Sequence, residues 1–139
     1  MEIKDQNLVK GEDGESWVDS AVELFGWGVL RMDWWQHSVD RLIYKNGKAY
    51  LLQTKLKEPR IHYPDTGLEK NRYDKFKQLC RDTGLRGLIL FTDLTGNVYG
   101  EFLDLLVEES HGGDTNTKNG EQMIYFWMKD LRAISLILE

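Results

Sequence analysis

The chain has 139 residues, 41% hydrophobic and 29% charged, with a net charge of −5; this predicts one domain with its own core and excludes a disordered or fibrous chain. A single cysteine, Cys80, excludes an internal disulfide and a cysteine-based zinc site, and the three histidines are too dispersed for a His-rich metal centre. No apolar run of roughly eighteen residues exists, and Met1-Glu2-Ile3-Lys4-Asp5 does not read as a signal peptide, so a soluble, cytoplasmic protein with no membrane partner is expected.

In chain order, residues 1–12 are polar and expected to be flexible. A helix is predicted over residues 14–25, where Trp17, Val18, Ala21, Val22 and Phe25 recur at helical spacing and Asp13 can cap the start. Its acids divide: Glu15 shares a stripe with Val18, Val22 and Phe25, whereas Glu12, Asp19 and Glu23 fall on the other side. An acid in a first turn also complements the helix dipole, so Glu15 has a purely structural reading beside a functional one. A strand over Val29–Met32 leads to a loop over Asp33–Ser38 holding Trp34, Trp35 and His37, aromatic groups that either stack on bases or cap the core.

A hairpin over Val39–Lys55 is the most informative feature. Asn46-Gly47 between two apolar-rich runs is the strongest short-range signal for a two-residue type I′ turn. That turn pairs Lys45 with Lys48, Tyr44 with Ala49, Leu42 with Leu51 and Asp40 with Gln53. Opposed residues share a sheet face with β-carbons roughly 5 Å apart. The period of two adds Lys55 to the face of Gln53 and turns the Thr54 side chain away. A carboxylate, a carbonyl oxygen and an ammonium thus meet at the open end, a set suited to a divalent cation and a phosphate. The structural alternative is a cross-strand hydrogen bond between Asp40 and Gln53 with Lys55 reaching for solvent.

Residues Leu56–Leu68 are expected to form a long connection containing Pro59, Pro64 and Gly67, with His62, Tyr63 and Asp65 as a substrate-ordered segment. A second helix is predicted from about Glu69 to Asp82, with Tyr73, Phe76, Leu79 and Cys80 inward and Gly84 as its C′ residue. Leu88-Ile89-Leu90-Phe91 reads as a central strand covered on both faces. Strands over Val98–Phe102 and Met123–Met128 follow, with apolar character continuing through Leu103–Val107 and a flexible segment at 109–120. Asp130 is placed as the cap of a short C-terminal helix carrying Leu131, Ile134 and Leu138. The order α-β-β-β-α-β-β-β-α predicts an α/β domain over 1–139 with a mixed central sheet flanked by helices.

The charge is polarised. Residues 45–81 hold ten Lys/Arg against four acids, and the remainder holds eight against nineteen. Such a map suits a one-sided nucleic-acid groove, although a mixed solvated surface produces the same count. Lys70, Lys77 and Arg81 form a helical stripe broken by Asp74; with Arg72, and with Lys57 and Arg60 beyond the hairpin, they are the candidates for phosphate contacts. No Gly-rich phosphate loop is present, so no nucleotide cofactor is expected, and no Gly-x-Ser-x-Gly elbow is found.

Gly11…Glu15, Gly26…Val29-Leu30-Arg31, Val39-Asp40, Asn46-Gly47 and Gln53-Thr54-Lys55 together resemble the PD-(D/E)xK nuclease superfamily, the archaeal Holliday-junction resolvase branch in particular. The resemblance implies a restriction-endonuclease-like αβββαβ core and a catalytic set of Glu15, Asp40, Gln53 and Lys55. It implies Mg2+ or Mn2+ held by Glu15, Asp40, Gln53 and the Thr54 carbonyl, DNA as substrate and a homodimer. Ser38 takes the place of the serine that assists some resolvases, with His37 beside it near the nucleic acid. Two departures stand out: Val39 replaces the usual proline, and Gln53 replaces the usual acid, as in the Mrr-type branch. Glutamine keeps an oxygen for a hard cation but removes one negative charge. A DNA-binding protein without catalysis and an RNA-cleaving member are the alternative expectations.

Overall fold

The computed structural model describes residues 17–31, 41–59, 65–108 and 122–139. Helix α1 (residues 17–24) is followed by β1 (Gly28–Arg31), β2 (Arg41–Lys45), β3 (Lys48–Leu56), β4 (Asp65–Glu69), α2 (Lys70–Thr83), β5 (Arg86–Thr92), β6 (Val98–Phe102), β7 (Met123–Trp127), β8 (Arg132–Ala133) and α3 (Ile134–Leu138). Six strands form one mixed sheet in the order β1-β2-β3-β5-β6-β8, and β4 and β7 form a separate antiparallel pair. Within the large sheet only β3 and β5 run parallel. The α/β class and flanking helices match the sequence expectation.

The β2–β3 hairpin has the predicted turn and register. Asn46 and Gly47 take φ of 50° and 80°, as a type I′ turn requires. Lys45 pairs with Lys48, Tyr44 with Ala49, Leu42 with Leu51 and Arg41 with Leu52. Alternation along the strands then divides the core in two. On one face Ile43, Leu52, Leu88 and Leu90 pack with Val18 and Val22 of α1 and with Ile134 and Leu138 of α3. On the other, Leu51, Ile89 and Phe91 pack with Tyr73 and Phe76 of α2 and with Leu68, Ile124 and Phe126 of the small sheet. The Leu88–Phe91 run is buried throughout, as expected of a central strand.

Close approach of α2 to the sheet depends on Gly87. A β-carbon there would stand 2.6 Å from Cys80 Sγ, with Phe76 and Leu103 also in contact. Burial pushes the Cys80 thiol up to about 11, so it holds almost no thiolate at neutral pH and serves as packing.

Several boundaries differ from those expected. The first strand starts one residue earlier, at Gly28, whose missing β-carbon leaves room for the Tyr44 ring lying over it. The expected Leu56–Leu68 connection contains β4, and Asp65 and Thr66 are fully buried there by pairing with Trp127 and Phe126. Glu69 ends that strand and occupies the N-cap position of α2 instead of opening the helix. Asp130 does not cap the last helix. It sits in a 3-10 turn over Met128–Asp130, after which β8 pairs with β6 and α3 begins at Ile134. The sequence-predicted roles of Asp13, Trp34, Trp35, His62 and Tyr63, and the flexible segments at 1–12 and 109–120, lie outside the described residues. Among the described residues no helix is long and apolar enough to cross a membrane.

Candidate active site

Strand β3 runs on beyond Leu52, which pairs with Arg41, the first described residue of β2, and this stretch carries the candidate chemistry. Gln53 pairs with Ile89 and Lys55 with Phe91 across the parallel ladder, which the Lys57 backbone N–H extends by bonding the Thr92 carbonyl at 2.9 Å. Gln53 and Lys55 share the face of Leu51, toward α2 and the small sheet. Gln53 is only 2% exposed, and its Oε1 accepts no hydrogen bond among the described residues. An unpaired buried oxygen costs about 1–3 kcal/mol. Thr54 points to the opposite face and is partly buried.

Lys55 meets an unexpected partner. Its Nζ donates to Glu69 Oε1 at 2.9 Å, and the two side chains are 25% and 24% exposed. The other carboxylate oxygen, Oε2, is buried with no partner among the described residues. Burial alone would raise the Glu69 carboxyl; the hydrogen bond from Lys55, a bond from Glu69's own backbone N–H, and the charges of Lys55 and Arg72 outweigh it and hold the group below its ordinary 4.5. Glu69 is therefore ionised at neutral pH. Read only as the start of a helix, it carried no sequence signal, because its approach to Lys55 depends on β4 pairing with β7.

Glu101 on β6 is lowered likewise: burial raises it, and the hydrogen bonds and charge of Arg132, at 2.6 Å, overcome that. A carboxyl depressed in the folded state stabilises above its unfolded pKa and loses that contribution as pH falls through the folded value. The melting temperature is therefore expected to hold steady down to about pH 5 and to drop below it. Glu101→Gln should flatten this acid limb in a melting series by circular dichroism.

The open end of the hairpin also receives α1. Arg41, the residue after Asp40, is 2% exposed, and its Nε and Nη2 donate to the Asp19 carboxylate at 2.7 and 3.3 Å. Asp19 was expected on the solvated side of the helix; the buried guanidinium draws it to the sheet instead. Glu15, His37, Ser38, Asp40 and Arg60 themselves lie outside the described residues.

The basic candidates are partly engaged. Asp74 accepts from Lys70 at 2.5 Å and lies 3.7 Å from Lys77, whose Nζ also sits 4.5 Å from the Tyr73 ring centre. Lys57 lies over Tyr125 at 5.2 Å. Arg81 bonds Gln78, and Arg72 is exposed. Asp74 therefore cancels part of the stripe on α2. No three His, Cys, Asp or Glu side chains converge among the described residues, so a cation there would need Gln53 Oε1, Glu69 and groups outside them. Each of these oxygens, buried and unpaired, is a hard donor of the kind such an ion takes.

No family model matches the chain, and no curated protein does. Among solved structures it is similar to Hjc from Archaeoglobus fulgidus, a Holliday junction resolvase from an archaeal hyperthermophile. The TM-score is 0.66 over 93% of this chain and 95% of that one, at 10% sequence identity. At that identity the likeness shows the fold: a mixed central sheet with helices on its faces, the resolvase-like architecture that the motifs led one to expect.

Proposed function

We propose that this chain is a metal-dependent nuclease that hydrolyses DNA phosphodiesters, acting as an endonuclease on branched or duplex DNA. The observation that carries it is Gln53 Oε1, buried and unpaired, beside Lys55 on β3 in a resolvase-like sheet. Asp40, the Gln53 side-chain oxygen and the Thr54 carbonyl would hold Mg2+ or Mn2+, with Glu15 as a further ligand. A bound divalent cation supplies Lewis-acid polarisation of the phosphate and a lowered pKa for its water. Lys55 orients the attacking water or offsets charge building on the phosphate. Lys57, Arg60, Lys70, Arg72, Lys77 and Arg81 attract the backbone, with His37 and Ser38 on the approach to Asp40.

A homodimer belongs to the same reading, since cutting two strands needs paired centres. Leu30 and Tyr44, 54% and 47% exposed on the β1–β2 face, offer apolar surface for one. The test incubates the protein with four-way junctions, linear duplex and RNA of matched sequence, with Mg2+, Mn2+ or chelator. Metal-dependent cleavage of DNA is expected, junctions being cut fastest. A shifted gel band with no cutting under any metal would instead select a DNA-binding protein without catalysis, which the neutral Gln53 favours. Preferential cutting of RNA would reassign the substrate.

A further inference from the structure

Gln53 leaves the proposed centre one negative charge short, and Glu69 is the carboxylate that the neighbouring Lys55 holds. It touches Lys55 at 2.9 Å through Oε1, and Lys55 lies two residues beyond Gln53 on the same strand face. Glu69 Oε2 and Gln53 Oε1 are both buried, and neither has a partner among the described residues. A neutral amide oxygen tolerates that at modest cost, whereas a buried carboxylate oxygen without a donor does not. Both are hard oxygens, and a divalent cation is the ligand class that satisfies a carboxylate and an amide oxygen together.

We infer that Glu69 is a ligand of the catalytic cation, supplying through Oε2 the negative charge that Gln53 lacks. This rests on the nuclease reading above and deepens it. The acid then stands at the end of β4 and not on β3, and it also serves as the anchor of Lys55. One carboxylate then faces two ways, Oε1 to the ammonium and Oε2 to the metal. Its geometry depends on the small sheet: Glu69 pairs with Met123, and the following Lys70 N–H bonds the Gln122 carbonyl at 2.9 Å. The β4–β7 pair is thereby tied to the site.

The experiment titrates the full chain with Mn2+ alone, without nucleic acid, following free Mn2+ by electron paramagnetic resonance. Glu69→Gln, which keeps the shape and the acceptor for Lys55, is expected to weaken binding roughly 10–100-fold. Adding Gln53→Glu to Glu69→Gln should recover most of that loss. Wild-type affinity in Glu69→Gln, alongside lost binding in Asp40→Asn, would overturn the role of Glu69 and leave the nuclease reading standing. Weakening that Gln53→Glu does not repair would show Glu69 acting only through Lys55, and would also overturn it. No Mn2+ binding by the wild-type chain would overturn both readings. If Glu69→Gln does not fold, the wild-type chain decides by nuclear magnetic resonance. Saturating Mg2+, which is diamagnetic, should shift the side-chain carboxyl signal of Glu69 together with the side-chain amide signal of Gln53, and an unshifted Glu69 carboxyl beside a shifted Gln53 would overturn the inference.

Discussion

Replacing Lys55 with alanine is expected to abolish detectable DNA cleavage and also to loosen the fold, two losses that Asp40→Asn should separate. Removing a positioned ammonium from a phosphoryl-transfer site typically costs roughly 10²–10⁴-fold in rate. Here the same truncation strips the Glu69 carboxylate of its ammonium partner. Both side chains are about a quarter exposed, so water screens part of the exposed charge. The buried Oε2 is not reached by that screening. A stability loss of about 1–2 kcal/mol is therefore expected for Lys55→Ala. Lys55→Gln keeps a hydrogen-bond donor for Glu69 Oε1 while deleting the charge, so it should return most of the stability and none of the cleavage. Single-turnover cleavage and urea denaturation on the same preparations separate the two. If Lys55→Gln cuts DNA at wild-type rate, Lys55 has no catalytic role and the proposed centre is wrong.

The parts of this fold legible in the sequence are those governed by short-range rules. Asn46-Gly47 fixed the hairpin because a type I′ turn needs positive φ at two successive residues, and its loop length sets the register through Arg41. The Leu88–Phe91 run and the α2 stripe of Tyr73 and Phe76 were visible because burial imposes its own period. Strand β4 was invisible for the converse reason. Asp65-Thr66-Gly67-Leu68-Glu69 has neither alternation nor β propensity, and it is extended only because β7 pairs with it across more than fifty intervening positions. Glu69 inherits that obscurity, since its meeting with Lys55 is a tertiary consequence of the β4–β7 pair. At Asp19, amphipathic reasoning assigned a charged residue to the wet face. A buried arginine on β2, which no periodicity reveals, reversed the assignment.

Asp19→Ala is expected to be the most destabilising single charge deletion, by about 2–3 kcal/mol. Arg41 is among the largest fully buried side chains, and its guanidinium meets both oxygens of Asp19. Deleting the carboxylate leaves a cation in the interior, which ordinarily costs about 3–5 kcal/mol. Arg41 has further interactions, which moderates the loss. For a chain of this length the melting temperature should fall by roughly 6–12 °C. The pair also joins α1 to the sheet one residue from Asp40, so Asp19→Ala should lower cleavage at temperatures where the variant remains folded. Exchanging the pair, as Asp19→Ala with Arg41→Met, removes the buried guanidinium and leaves an apolar chain on the strand position opposite Leu52. That double variant should be more stable than Asp19→Ala alone, because whole-pair replacement avoids the penalty that half-pair removal creates. Equal or lower stability in the double variant would mean that the Asp19 effect comes from lost helix packing, not from a buried guanidinium deprived of its Asp19 carboxylate.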